Sequence, residues 1–353
     1  MPRTHRVTVE PLGQRIDCRE DQTILDACLR AGIWLPHACT HGTCGTCKAE
    51  ILDGEVDHGE VSSFALMDFE RDEGKALLCC ARPRSDVVVE GDVEVEPGVT
   101  THPVRDFTAT VAAVEDCAAD TRRLLLDLDR PIAFNPGQYV TVRVPNSAAD
   151  RSYSMAGPPS SADRIELNVR RTPGGLASDG WIFSSLRAGD EVSLSGPYGR
   201  FFWRPERTEP AVLVAGGTGL APLMSMIRHV LEGDADRRLT LYHGGRTAAH
   251  MYNVDELREL ARAHPERFRY EPCLSEQDAS GYRSGLVTDV MAGDADTYRG
   301  HVAYVCGPPP MVDAAIKALM AKRLFPRDIY REDFFDASDR AGGRAVRSPL
   351  LKR

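Results

Sequence analysis

His37-Ala38-Cys39-Thr40-His41-Gly42-Thr43-Cys44-Gly45-Thr46-Cys47 sets three cysteines at C-x4-C-x2-C, and the adjacent pair Cys79-Cys80 follows further along. Three close cysteines with a distant fourth is the spacing that holds plant-type [2Fe–2S] clusters. Gly42 and Gly45 let the backbone wrap closely and turn N–H groups toward the sulfurs. Thr40, Thr43 and Thr46 are small polar residues suited to hydrogen bonds around a cluster. Zinc prefers paired C-x2-C elements, and this chain has a single one. Spacing leaves Cys79 and Cys80 both open as the fourth ligand. Neighbours in an extended segment point to opposite faces, so one of the two is expected to reach the metal. Cys18 and Cys28 read as small core hydrophobes. A carrier of single electrons requires the rest of the chain to deliver or accept them.

Around that loop, 353 residues leave room for two or three domains. No apolar run approaches the roughly 18–20 residues that span a bilayer. The start, MPRTHRVTVEPLGQ, has no apolar core of a secretory signal. Ten cysteines in such a chain read as cytosolic thiols and metal ligands rather than disulfides, so a cytoplasmic protein is expected, and an unpaired barrel with a soluble surface is compatible with a monomer. The net charge of −9 is uneven: residues 1–98 hold 10 Lys+Arg against 19 Asp+Glu, while 337–353 hold five basic residues and one acid. An acidic first third argues against nucleic acid and suits docking to a basic protein face. Solvation of a small domain accounts for it equally well.

Three units are expected. Residues 1–96 alternate short strands (HRVTVE, QRIDC, KAEIL, DVVVE) with a helix over 23–31. A Pro/Gly/Thr linker over 94–104 leads to 104–205, a series of short strands between turns that implies a small antiparallel barrel. A break at WRPERTEP (203–210) precedes 206–336, where strands and helices alternate as in a parallel sheet flanked by helices. The basic tail 337–353 is expected to be disordered.

The second and third units carry their own chemistry. Arg151-Ser152-Tyr153-Ser154 opens a strand and offers an Arg for a pyrophosphate, a Tyr for a planar ring and a Ser for a ring nitrogen. Gly175-Leu176-Ala177-Ser178 precedes an expected helix over 179–186, whose start would favour an anion. Together the two motifs form a flavin cradle. Gly216-Gly217-Thr218-Gly219-Leu220-Ala221-Pro222 lies between an apolar strand and a helix, where glycines admit a phosphate. Cys306-Gly307-Pro308-Pro309 ends a later strand, so both loops fall at the carboxyl edge of one sheet, where ligands bind. A bare tight turn and an inert cysteine are the plain alternatives. Arg246, after the strand LTLYH, is placed to reach a 2′-phosphate, but no second basic residue follows it nearby.

HACTHGTCGTC, RSYS, GLAS, GGTGLAP, CGPP and the closing REDFF, in this order over about residues 5–336, resemble the reductase components of bacterial multicomponent oxygenases. The nearest in motif style are those of the soluble di-iron monooxygenases, the methane, propane and phenol hydroxylase group. The resemblance implies a multidomain fold: a plant-type ferredoxin (β-grasp, α+β), an antiparallel β-barrel flavin domain and an α/β parallel-sheet nicotinamide domain. It implies FAD, a [2Fe–2S] cluster and NADH rather than NADPH. It maps LLC-x-x-x-P onto Leu77-Leu78-Cys79 and Pro83, making Cys39, Cys44, Cys47 and Cys79 the ligands and Cys80 a bystander. Arg151 would contact the FAD pyrophosphate, Tyr153 would pack on the isoalloxazine and Ser154 would hydrogen-bond near its N5. Val169, Arg170 and Gly175 through Ser178 would hold the rest. Phe334 would cover the flavin, with Phe335 beside it as a departure from the family pattern. Ser154, Cys306 and Glu332 would flank the hydride path, and electrons would leave for a separate hydroxylase docking on the acidic ferredoxin domain. A Rieske-type dioxygenase partner is the alternative; a redox-sensing regulator, which needs no such set of flavin and nicotinamide residues, is a distant one.

Overall fold

The computed structural model describes residues 2–38, 40–93, 96–233 and 236–334, which divide into two compact units, Met1–Arg105 and Asp106–Arg353. The tail 337–353 lies outside the described residues. Among those residues no helix is long and apolar enough to cross a membrane.

In the first unit β1 (Thr4–Glu10) turns back into β2 (Gln14–Arg19), and Val7 and Val9 alternate inward and are fully buried. Helix α1 (Ile24–Arg30) starts where Thr23 Oγ1 accepts from the Asp26 N–H at 3.3 Å, so the expected 23–31 span is helix plus caps. Then follow β3 (Lys48–Asp53), β4 (Val56–Asp57), the short α2 (Asp68–Asp72), β5 (Lys75–Leu77), β6 (Arg82–Pro83) and β7 (Val87–Glu90). The main sheet runs β2-β1-β7-β3-β5, with β1 and β7 parallel at its centre and every other pair antiparallel. Laying α1 across a mixed sheet of this order is the β-grasp arrangement. Ile24, Cys28, Leu66, Leu77 and Val89 fill the space between them. Cys18 and Cys28 are fully buried there, and burial pushes both thiols up to about 12.

The second unit holds two sheets. Strands β8 (Arg105–Ala118), β9 (Thr121–Leu128), β10 (Tyr139–Arg143), β11 (Asp150–Ser154), β12 (Arg164–Arg170) and β13 (Glu191–Tyr198) order as β11-β10-β13-β8-β9-β12. The Met155–Leu167 bridge joins the two ends into a barrel. Val140, Val142, Ile165, Leu167 and Val169 alternate inward to its core. The expected helix over 179–186 is only one π-type turn, Ser178–Ile182. Gly180 weakens it, and the Ser184 and Ser185 hydroxyls donate back to the Gly180 and Trp181 carbonyls at 2.8 and 3.4 Å. No helix end is therefore available there to bind an anion.

The second sheet uses β14 (Ala211–Gly216), β15 (Leu239–Gly245), β16 (Phe268–Leu274), β17 (Arg283–Ser284), β18 (Val302–Gly307) and β19 (Ile329–Asp333). All its pairs are parallel, in the order β17-β16-β15-β14-β18-β19. It is flanked by α3 (Leu220–Glu232), α4 (Val254–Ala263), α5 (Val287–Asp294) and α6 (Pro309–Ala321). Helix α5 and strand β19 are absent from the sequence reading. Thr, Val and Gly make VTDVMAGD a poor helix former, and α5 exists because Val287, Val290 and Met291 are buried. In β19, Arg331 looks like a surface residue but is 3% exposed, its charge met by Asp333 at 2.6 Å.

The expected break at 203–210 is pinned rather than loose. Trp203 stacks on Tyr304 at 5.3 Å, Tyr304 stacks on Tyr330 at 5.1 Å, and the Arg204 guanidinium covers Tyr330 at 4.4 Å. Arg228 of α3 ties the barrel to the sheet as well, reaching Glu166 of β12 at 2.8 Å and Glu256 of α4 at 2.7 Å.

Candidate functional site

Two strand ends make the heart of the second unit. Ala215 of β14 pairs with Cys306 of β18, and Cys306 pairs with Glu332 of β19. The glycines there are required by packing: a Cβ on Gly219 would sit 2.3 Å from the Cys306 carbonyl oxygen, and one on Gly216 would sit 2.5 Å from Met311 Sδ. Gly217 takes φ +55° and Gly307 φ +151°. Gly217–Gly219 form a single 3-10 turn leading into α3, with Thr218 half-buried on it, and Pro308 caps α6. The Phe334 N–H donates to the Gly307 carbonyl at 3.0 Å, which ties this half-buried residue to the same edge.

The barrel meets this edge through Tyr139 and Gly199, which are absent from the sequence reading. Ser154 pairs with Tyr139 across β11 and β10 and is 6% exposed. The Tyr139 ring stacks on Tyr198 at 5.7 Å and lies 2.8 Å from where a Gly199 Cβ would stand, itself 4.0 Å from Glu332 Oε1. Ser154, Tyr139, Gly199, Glu332 and Cys306 thus form one run of neighbours from barrel to sheet. Glu332 is only partly buried as a residue, yet its Oε2 is shielded from water and has no hydrogen-bond partner. Burial, with Asp333 beside it, pushes its carboxyl up to about 8, so it is protonated at neutral pH. Complete burial likewise raises the Cys306 thiol well above its ordinary value and keeps it neutral, a lining group rather than a nucleophile.

Elsewhere on the barrel, Arg151 and Ser152 are exposed, and the Arg151 Nη1 donates to the Asp150 carbonyl at 2.8 Å. Tyr153 is half-buried against the barrel core. Val169 points into that core at 1% exposure, so only its backbone is free to meet a ligand. Arg170 is exposed, with Nη1 3.6 Å from the Gly217 Cβ position. The loop Gly175–Ser178 is tight: a Gly175 Cβ would stand 2.7 Å from Ser178 Oγ, which accepts from the Thr172 N–H at 3.1 Å. Ala177 is buried and the Leu176 side chain is exposed. Asn168, also missed from sequence, is 4% exposed with neither amide atom partnered. Alternation puts it on the Glu166 and Arg170 face of β12, but only the fold reveals that this face is covered. Arg246 is exposed, its Nη2 3.0 Å from His250 Nε2.

In the first unit Cys39 lies outside the described residues. Cys47 and Cys79 are buried, and Cys44 and Cys80 half-buried. Among the described residues no group of three or more Cys, His, Asp or Glu side chains is gathered to hold an ion. Segment 77–81 is a turn, with the Cys80 and Ala81 N–H groups both donating to the Leu77 carbonyl at 2.9 Å. The two sulfurs are therefore 3.7 Å apart, and the expectation that they point to opposite faces fails because the chain is not extended there. The loop itself suits a cluster: Gly42 and Gly45 sit at φ +76° and +72°, and a Cβ on Gly42 would stand 2.9 Å from the Glu60 carbonyl oxygen and 3.0 Å from Cys80 Sγ.

The donor chemistry and these cradles fit a [2Fe–2S] cluster in the first unit and a flavin with a dinucleotide in the second. Comparison with known proteins agrees. Residues 7–84 match the 2Fe–2S iron–sulfur cluster binding domain, 108–203 the oxidoreductase FAD-binding domain and 213–317 the oxidoreductase NAD-binding domain. The chain is 47% identical over 355 residues to the reductase component of phenol 2-monooxygenase from a Pseudomonas strain, covering 99% of each. It is 47% identical over 329 residues to the reductase subunit of an aromatic O-demethylase from Amycolatopsis, covering 92% of this chain and 98% of that one. A crystal structure described as an Amycolatopsis cytochrome P450 reductase superposes with a TM-score of 0.86 at 47% identity, over 94% of this chain and 99% of that one. Full-length identity at this level, with all three domain matches in order, makes this chain a member of the reductase components of bacterial multicomponent oxygenases, NADH-dependent flavin iron–sulfur oxidoreductases.

Proposed function

We propose that the chain passes electrons from NADH to a separate di-iron hydroxylase of the phenol-oxidising type, in the cytoplasm and as a monomer. One observation carries the assignment of the reacting centre: the run Ser154–Tyr139–Gly199–Glu332–Cys306, ending on a shielded carboxyl oxygen without a partner. Such an orphan is costly unless a ligand meets it. When bound, FAD turns a two-electron hydride into single electrons, and a [2Fe–2S] cluster carries them onward.

The chain's own residues then bind, orient and exclude water. The exposed Arg151 guanidinium grips the pyrophosphate of FAD, assisted by Ser152, Arg170, the Val169 backbone and the loop from Gly175 through Ser178. Tyr153 would pack on the flavin ring, and the nearly buried Ser154 hydroxyl would hydrogen-bond near its N5. The Gly216-Gly217-Thr218-Gly219 turn and Gly307-Pro308 leave room for the dinucleotide at the sheet edge. Cys306 fills the floor of that pocket as a neutral thiol. The protonated Glu332 carboxyl holds a proton beside it at neutral pH. Phe334 shields the site from water until nicotinamide takes its place. Cys39, Cys44, Cys47 and Cys79 hold the cluster, and Cys80 stands aside. Arg246 is followed by no second Lys or Arg nearby, which supports NADH over NADPH.

A partner of the cytochrome P450 type is the second reading, favoured by the 47% identity to the Amycolatopsis reductase. Reconstitution separates them: NADH oxidation coupled to product should appear with a phenol-type di-iron hydroxylase and not with a P450. Anaerobic mixing with NADH should bleach the flavin before the cluster. Bleaching in the reverse order would defeat the proposed route.

A further inference from the structure

One segment of the first unit breaks the rule that it otherwise obeys. Phe64 is 91% exposed, and Met67 and Phe69 are 46% and 56% exposed, while Ala65 and Leu66 between them are buried. The buried pair anchors the segment, so the protruding rings do not belong to a frayed loop. The Ala65 and Leu66 N–H groups donate to the Ser62 carbonyl at 2.9 and 3.1 Å, closing a turn that presents Phe64. Glu70 fixes the other end, accepting from Lys48 Nζ at 2.6 Å and from the Met67 N–H at 3.0 Å. The segment rests on the cysteine loop: the Ser62 N–H donates to the Gly42 carbonyl at 3.0 Å, and a Gly45 Cβ would stand 3.3 Å from the Ala65 carbonyl oxygen. A rigid apolar knob therefore stands directly over the backbone that carries the cysteines.

Its surroundings are acidic. Residues 49–73 hold nine acids and one base, which concentrates most of the charge of the first third in this stretch. Glu60, Asp68, Asp72 and Glu73 are exposed in the same stretch of chain. Preordered aromatic anchors with a charged rim are the anatomy of a protein-binding hot spot, where the rim steers the encounter and the core sets the dwell time.

Resting on the functional reading above, we infer that Phe64, with Met67 and Phe69, is the knob that grips the oxygenase, and that the oxygenase offers an apolar pocket with a basic rim. A second copy of this chain would set acid against acid. The flavin-bearing half is joined to this unit by the chain, so their encounter is already concentrated and needs no such anchor. The oxygenase must be captured from solution.

The test compares wild type with Phe64→Ala, a change on an exposed ring that leaves the cluster spectrum as a check on folding. With the hydroxylase that wild type drives, Phe64→Ala should raise the KM for the hydroxylase on the order of tenfold or more. The rate at which NADH bleaches the variant's own cluster should be unchanged. Asp68→Lys should raise the same KM and flatten its salt dependence. If cluster bleaching slows as much as delivery, the knob serves the flavin half and the inference is wrong; if neither changes, it is equally wrong. Faster delivery in Phe64→Ala and in a chain lacking 340–353 would assign the knob to the basic tail and overturn it too. Should wild type drive no oxygenase, the functional reading fails separately. The same comparison is then made with cytochrome c, a basic one-electron acceptor, where an unchanged KM overturns the inference.

Discussion

Two cysteine-bearing regions of the molecule are built on opposite plans. Cys306 is fully buried at the edge of a parallel sheet, where Gly216, Gly219 and Gly307 interlock so closely that no Cβ fits. Burial pushes the carboxyl beside it up to about 8. Cys44 sits half-buried on a loop of left-handed glycines, and the segment packed against that loop carries the exposed Phe64 and a run of exposed acidic residues. Hydride transfer needs reacting atoms held near contact with water excluded, and a buried, closely packed strand edge suits that. Passing an electron to another protein needs a site near the surface and a face the partner can find. The contrast shows one chain separating chemistry that must be enclosed from chemistry that must be reached.

Substitutions test each side of that contrast. The largest expected effect is at the open end: Cys79→Ser should abolish the visible absorbance of the cluster, whereas Cys80→Ser should retain it. With the sulfurs 3.7 Å apart, the opposite outcome would reassign the fourth ligand. At the closed end, Gly219→Ala forces a methyl against the Cys306 carbonyl. It should slow NADH-dependent flavin reduction on the order of a hundredfold and lower stability by about 1–3 kcal/mol. The cluster spectrum should not change, and loss of both cofactors together would show that the two ends are not independent.

Glu332 gives a pH test of enclosure. Its carboxyl is raised from the usual 4.5 to about 8, so the folded protein binds this proton more tightly than the unfolded chain. Its contribution to stability is therefore complete below about pH 4.5 and is lost as pH rises toward 8. Urea unfolding of the holoprotein at intervals from pH 5 to 8 should show that decline in wild type and a shallower one in Glu332→Gln. Equal slopes would mean that the carboxyl is hydrated. The smallest effect is expected at Arg246, which is exposed: Arg246→Ala should alter the KM for NADH by no more than about threefold. A large rise would make Arg246 part of the enclosed site after all.

Much of this was legible in the one-dimensional chain, and the failures have physical causes. Strands with period-two patterns, such as Thr4–Glu10 and Arg164–Arg170, follow from side chains alternating across a pleat. The cysteine loop, the strand-end glycines and Arg151–Ser154 were visible because their chemistry needs those residues close together in sequence. Tyr139, Gly199 and Asn168 were not. Each gains its place by meeting a residue far away in the chain, and a lone Tyr, Gly or Asn carries no mark of that. The helix expected over 179–186 was lost to serine hydroxyls that compete for its carbonyls, and α5 was overlooked because burial rather than propensity forms it.

By itself, the sequence determined the three-part order, the cofactor types, the acidic balance of the first third and the cysteine and glycine loops proposed to hold ligands. These depend on residue identity and short spacing. Tertiary structure alone decided that a Glu332 carboxyl oxygen is shielded without a partner, that Val169 faces inward, that Cys79 and Cys80 lie on one turn and that Phe64 is left in water. Those properties belong to the surroundings of a side chain, and only folding brings distant residues together to create them.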